Sequence, residues 1–280
     1  MRTKTNEEAA WDTPGPGYKA YKAEQQQSEA FLVWIFGDSY NLITAVKENL
    51  HHLHLQQRSE MQVEGSTTTK TLVFPTETST SFVEMVPLKP LSLRAFTLCM
   101  RVATELSGER EIILFAYRTA DYDELNVWRE LDGRLSFYLA GEGVLFSVPE
   151  LGSLETHLCF TWDSTSGAAA LFMNGRKSLT KIYKKGHSVR SNGKVLIGQD
   201  PDSYLGDFDA KQSFVGEICD INMWDSVLSA STIQDMYSGK TVSRGNVFDW
   251  ETAQLNVNGE VEVITRELYT AKSVLLFFQC

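Results

Sequence analysis

The sequence predicts an all-β fold, a two-sheet antiparallel sandwich with one α-helix packed on one face. Three observations carry that expectation. From Thr71 onward, short runs of β-branched and aromatic residues recur, each bounded by turn-forming residues. Among them stand Asp132-Gly133, Asn174-Gly175 and Asn192-Gly193, pairs that readily adopt the positive φ of hairpin-type turns. One stretch in this region, residues 227–237, has helical spacing, with Ile233, Met236 and Tyr237 on one face.

Residues 1–70 are different in texture. They are polar, rich in Glu and Gln over 23–30, with a Pro-Gly-Pro-Gly turn signal at 14–17, and read as an N-terminal extension. The apolar run 31–36 is six residues long and lies behind thirty mostly polar ones, too short for a bilayer span and badly placed for a signal peptide. Ile43, Val46, Leu50 and Leu53 then predict a short amphipathic helix within 40–57, on which His51, His52 and His54 suit a solvated face. Strands are expected at 71–74, 81–86, 96–103, 111–117, 125–129, 134–139, 156–163, 168–173 and 194–198. A last strand, 213–224, leads into the helix, which Ser229 or Ser231 can cap and Gly239 can end. The predicted domain is thus 71–268, followed by a tail, 269–280, whose apolar run 274–278 is either an extra edge strand or a segment outside the core.

At 280 residues and 42% apolar, the chain has ample material for a core. A net charge of −10 argues against general affinity for nucleic acid, which needs clustered Lys and Arg, and suits cation binding. Cys99, Cys159, Cys219 and Cys280 lack paired C-x-x-C spacing, which disfavours zinc and leaves one or two disulfides open. No N-x-S/T glycosylation acceptor occurs.

The richest chemistry lies in 199–212, Gln-Asp-Pro-Asp-Ser-Tyr-Leu-Gly-Asp-Phe-Asp-Ala-Lys-Gln. It sets Asp200, Asp202, Asp207 and Asp209 beside the amides of Gln199 and Gln212. Calcium takes about six to eight oxygens from such groups and tolerates irregular loops, although the spacing is not that of the helix-loop-helix calcium motif. Alone, the stretch also reads as a solvated acidic turn.

Its context comes from residues 156–164, Thr-His-Leu-Cys-Phe-Thr-Trp-Asp-Ser. Alternation puts His157, Cys159 and Thr161 on one strand face and Leu158, Phe160 and Trp162 on the other; Cys99 also lies mid-strand. The pattern His-x-Cys-x-Thr-Trp-x-Ser resembles, without a mismatch, the signature of the pentraxins. Collinear matches at Val73-Phe-Pro75, Phe146-Ser-Val-Pro-Glu150, Ile197-Gly-Gln199 and Asn222-Met-Trp-Asp225 extend the resemblance over about seventy per cent of the chain. It implies a jelly roll carrying one long helix, an intrachain Cys99–Cys159 disulfide, cyclic and usually pentameric rings, and two adjacent calcium ions on the face opposite the helix. A buried disulfide persists after passage through an oxidising compartment, so a secreted, extracellular protein is expected.

Carried over position by position, the resemblance makes Asp200, the Pro201 carbonyl and Asp202 ligands on the near side and gives Asp209 and Gln212 the second ion. The family has Glu where this chain has Asp200 and Asp209, which implies changed affinity and not loss. Asp207 is outside the matched set. From the turn 120–124 the expected ligands are Asp121 and Asp123, because Tyr122 stands where the family has a bridging carboxylate and cannot replace it. Asn126, Trp128 and Tyr138 match the neighbouring ligand pocket, where aromatic faces can hold a cationic group; packing in the core is the other reading of Trp128 and Tyr138. Tyr138 and Gly143 depart from the choline-selective pattern, which favours phosphoethanolamine and other anionic ligands over phosphocholine.

The function implied is calcium-dependent pattern recognition in innate immunity, without enzymatic turnover. Its partners would be phosphorylated or anionic groups on microbial or damaged-cell surfaces, with complement and Fc receptors implied at the helix-bearing face. Two other classes fit less well. A laminin-G-like adhesive module shares the sandwich and a calcium rim but not the signature at 157–164. A jelly-roll glycoside hydrolase needs two carboxylates on its concave face, and Glu217 and Asp220 differ in strand parity. His157 lies mid-strand beside a half-cystine and reads as structural rather than as a catalytic base.

Overall fold

A computed structural model describes residues 66–108, 110–240 and 244–269. The expectations for the extension before Ser66, including its helix and histidines, and for the tail with Cys280 lie outside the described residues.

Strands are numbered in chain order from Ser66. The first sheet has the order β10 (Arg176–Lys177), β9 (Ala168–Met173), β8 (Thr156–Asp163), β3 (Ala95–Ala103), β13 (Gly216–Trp224), β1 (Ser66–Phe74) and β15 (Glu262–Tyr269), with β11 (Lys181–Ile182) also paired to β9. The second has the order β14 (Gln254–Asn258), β2 (Phe82–Val86), β12 (Lys194–Ile197), β4 (Ile112–Arg118), β5 (Asp123–Arg129), β6 (Leu135–Leu139) and β7 (Glu142–Phe146). The chain crosses repeatedly from one sheet to the other, giving the jelly-roll sandwich. Between the sheets, Leu158, Phe160 and Trp162 of β8 meet a core that includes Leu125, Val127 and Phe137 of β5 and β6.

The opposite parity of β8 is buried as well, because α1 (Ala230–Tyr237) covers it. Ile233 packs against Cys99, Cys159, Phe172 and Trp224 on the outer face of the first sheet. Cys99 and Cys159 stand directly opposite each other on β3 and β8 and form a disulfide, with Cα atoms 4.0 Å apart. Cys219 is buried without a disulfide partner among the described residues, and burial pushes its thiol up to about 12.

At eight residues, α1 is shorter than the long helix the resemblance implies. Its ends explain the length. Ser229, rather than Ser231, caps the start by accepting from the Thr232 amide. At the other end Gly239 takes φ +70°, and the amides of Gly239 and Lys240 bond the carbonyls of Met236 and Asp235, the pairing of a Schellman stop. Tyr237, expected on the apolar face, is 39% exposed.

Several strands escaped the sequence reading. β7 follows β6 through Ala140-Gly141, both at positive φ, and alanine there gives no Asn-Gly or Asp-Gly signal. β14 carries mostly exposed residues, and β10 and β11 have two residues each, so none shows a buried period. Asn174-Gly175 is a hairpin turn between β9 and β10, and Asp132-Gly133 links β5 to β6. Asn192-Gly193 is not a turn between two paired strands: it precedes β12, whose neighbours are β2 and β4.

Candidate calcium and ligand site

The outer face of the second sheet, opposite the helix, receives Asn126 and Trp128 of β5. Asn126 pairs with Tyr138 on β6, Trp128 with Ser136, and Tyr138 in turn with Gly143 on β7. Trp128 serves both readings made of it, since it packs on the small outer cluster of Ile113, Ala116 and Leu196 while lining a cavity.

The acidic loop is fastened over this face at several points. Gln199 is fully buried, and its amide nitrogen donates to the carbonyls of Thr78 and Ser81. Phe208 packs on Phe82, ring centroids 5.1 Å apart, giving the loop an apolar anchor. Arg110 donates to the carbonyls of Lys211, Ala210 and Ser213 at 2.6, 2.9 and 2.9 Å. Asp209 caps the 3-10 turn Ala210–Gln212 by accepting from the Lys211 amide at 2.9 Å.

Together these elements enclose a cavity of about 250 Å³ whose lining includes Asp123, Asn126, Trp128, Tyr138, Asp200 and Gln212. Glu111 and Glu130 line it too and were not singled out in the sequence, where isolated glutamates carry no signal. Asp121, Asp202 and Asp209 are exposed and outside that lining, and Pro201 is buried. Asp202 nevertheless acts on the cluster through its charge.

Asp200 is the electrostatic centre. Burial, then the charges of Asp123 and Asp202, push its carboxyl up to about 7, against the opposing charge of Arg118. Asn126 donates to Asp200 at 3.1 Å, which leaves the Asn126 Oδ1 atom, on a side chain 5% exposed, buried without a donor. Crowded carboxylates beside an unused amide oxygen are the donor set of a hard cation.

Toward β7 the cavity is shaped by one tyrosine. The Tyr138 hydroxyl donates to Glu130 at 3.1 Å, and burial with the Glu130 charge raises it to about 12. Its ring lies over Gly143 so closely that a Cβ there would stand 2.7 Å from ring carbons. Gly143→Ala is therefore expected to displace Tyr138, costing about 1–3 kcal/mol of stability. Urea unfolding of variant and wild type checks this; unchanged stability would refute it.

The turn before β5 also departs from the family pattern. Tyr122 turns outward beneath the Arg190 guanidinium, 4.1 Å from the ring centroid. Glu124 is fully buried and bonded at 2.8 Å by both the amide and the Nη1 atom of Arg190. His157 lies on the other sheet, buried beside Cys159, where burial and the Arg101 charge lower it to about 4. It is a neutral structural residue, and the sulfurs grouped with it are held in the disulfide.

A jelly roll with oxygen donors and an aromatic pair gathered around one surface cavity defines a binding module. The Pentaxin family model matches residues 70–265. C-reactive protein from Danio rerio is 55% identical over 199 residues, covering 70% of this chain and 88% of that one. C-reactive protein from Homo sapiens is 38% identical over 193 residues, covering 69% and 86%. The native heptameric SAP-like pentraxin from Limulus polyphemus shares the fold, with a TM-score of 0.61 at 24% identity over 70% of this chain and 94% of that chain. The chain belongs to the pentraxin family. It is accordingly a binding protein with a pattern-recognition role, and not an enzyme. Among the described residues no helix is long and apolar enough to cross a membrane.

Proposed function

We propose that this protein binds phosphorylated and other anionic groups on microbial or damaged-cell surfaces through two adjacent calcium ions per chain. The observation that carries the reading is the convergence of Asp123, Asp200 and Gln212 on Asn126, whose buried Oδ1 atom lacks a donor, next to Trp128 and Tyr138. Asp200, the Pro201 carbonyl and Asp202, with Asp121 and Asp123 from the turn, would hold one ion. Asp209 and Gln212 would hold the other. Bound calcium supplies concentrated positive charge for an anionic oxygen pair.

The chain's own residues then select what hangs from that anion. Asn126 offers a polar contact, Trp128 an aromatic face, and Tyr138, held by Glu130, fills the space over Gly143. Phosphoethanolamine therefore fits better than the bulkier phosphocholine. In this reading the protein is secreted and forms a cyclic homo-oligomer, a pentamer, whose repeated weak sites gain avidity on a repetitive surface. The helix-bearing face is left free for complement and Fc receptors.

Binding to a phosphoethanolamine resin in calcium, release by chelator, and competition by the two phosphate esters test the proposal. Phosphoethanolamine should elute the protein at lower concentration than phosphocholine. Retention that persists in chelator would overturn the calcium reading, and preferential elution by phosphocholine would overturn the account of the pocket.

A further inference from the structure

Arg118 closes β4, and its guanidinium reaches into the same acidic cluster. It forms an ion pair with Asp123, and its Nη2 atom donates to the Asp202 carbonyl at 2.8 Å. The side chain is only 15% exposed, and its Nε atom is buried without an acceptor. The guanidinium is thus committed at its outer end, to an expected metal ligand and to the backbone of another. The same positive charge opposes the repulsion that Asp123 and Asp202 exert on Asp200. Tyr122, standing where a bridging carboxylate was expected, is turned away under Arg190, so the cluster at this end is one carboxylate poorer and holds a cation of its own.

We propose that Arg118 is the resident counter-ion of the calcium-free site, so that calcium binding at the Asp123 end is an exchange in which the guanidinium must leave. This rests on the calcium reading above. As placed, Arg118 serves Asp123 and the Asp202 carbonyl and leaves the Asn126 oxygen unpaired, whereas a divalent ion takes about six to eight oxygens at once. Metal therefore displaces Arg118 at sufficient concentration, and the ion at this end is held more weakly than its neighbour. In the calcium-free protein Arg118 keeps Asp123 and the loop carbonyl of Asp202 in place.

Calcium titration calorimetry of the full chain, wild type beside Arg118→Gln and Arg118→Lys, tests the exchange, together with thermal unfolding in chelator. Removal of the charge should tighten the weaker ion on the order of tenfold, the worth of a charge-assisted hydrogen bond, and lower the melting temperature in chelator. Arg118→Lys should stay near wild type in both. Unchanged or weaker calcium affinity in Arg118→Gln would overturn the exchange while leaving the calcium site standing. Absence of calcium binding in wild type and both variants would overturn the calcium reading itself. A structure of calcium-loaded wild type is an independent arm that needs no variant: Arg118 still paired with Asp123 beside a full set of ions would refute the proposal.

Discussion

Asp200→Ala is expected to abolish calcium-dependent retention on a phosphoethanolamine resin, and also to make the calcium-free protein more stable at neutral and alkaline pH. Both effects follow from one carboxyl held at about 7 by burial and by Asp123 and Asp202. The folded state raises this group above its ordinary value of 3.8, so between about pH 4 and 7 the folded chain holds a proton that the unfolded chain has released. Asp200 therefore contributes a loss of stability to the calcium-free protein as pH rises through that window, on the order of a few kcal/mol, while His157, lowered to about 4, contributes in the opposite sense below its ordinary value of 6.5. In the proposed calcium reading, bound calcium would remove the penalty by neutralising the carboxylate, and the alanine variant removes it by deleting the group. Urea unfolding of wild type and variant at pH 5 and pH 8, with chelator and with calcium, isolates the Asp200 part as the difference between their slopes. An alanine variant that keeps both the wild-type slope and resin retention would contradict the central role given to Asp200.

Loss of the Cys99–Cys159 crosslink should have the largest effect on the fold itself. The bond closes a sequence separation of 60 residues, for which the chain-entropy relation gives about 4 kcal/mol. In a domain of this size that corresponds to a melting-temperature drop of roughly 10 °C. The double variant Cys99→Ala/Cys159→Ala isolates the crosslink, since Leu158, Phe160 and Trp162 on the other face of β8 still fill the inter-sheet core. Measured by urea unfolding, a loss below about 1 kcal/mol would show that the unfolded chain is not the state the disulfide restrains.

Much of the architecture was legible in local sequence. The alternation of residues 157–162 correctly separated the inter-sheet core from the face that α1 covers, because strand side chains alternate with period two. The pair Ser229 and Ser231, between which the structure chose Ser229, and Gly239 marked the ends of the helix, because caps depend on only a few neighbouring backbone groups. β7 and the edge strands were missed where those local signals are absent: Ala140 adopts a turn conformation that its side chain does not advertise, and β14 has little buried surface.

The site divides along the same line. The sequence by itself determined which residues could supply oxygen donors, through the acidic loop 199–212, and which family pattern that loop belongs to, through His157, Cys159, Thr161, Trp162 and Ser164. Only the tertiary structure decided which of these groups meet. Asn126 and Asp200 are 74 residues apart yet share a hydrogen bond, and Arg118 reaches across 84 residues to the Asp202 carbonyl. It also decided that Tyr138 must lie over Gly143, and that Phe208 pins the loop to the sheet. The reason is physical: strand periods and caps are set by covalent neighbours, whereas the strength of a charge pair and the closeness of a ring contact depend on through-space distance and burial, which exist only once the two sheets have packed.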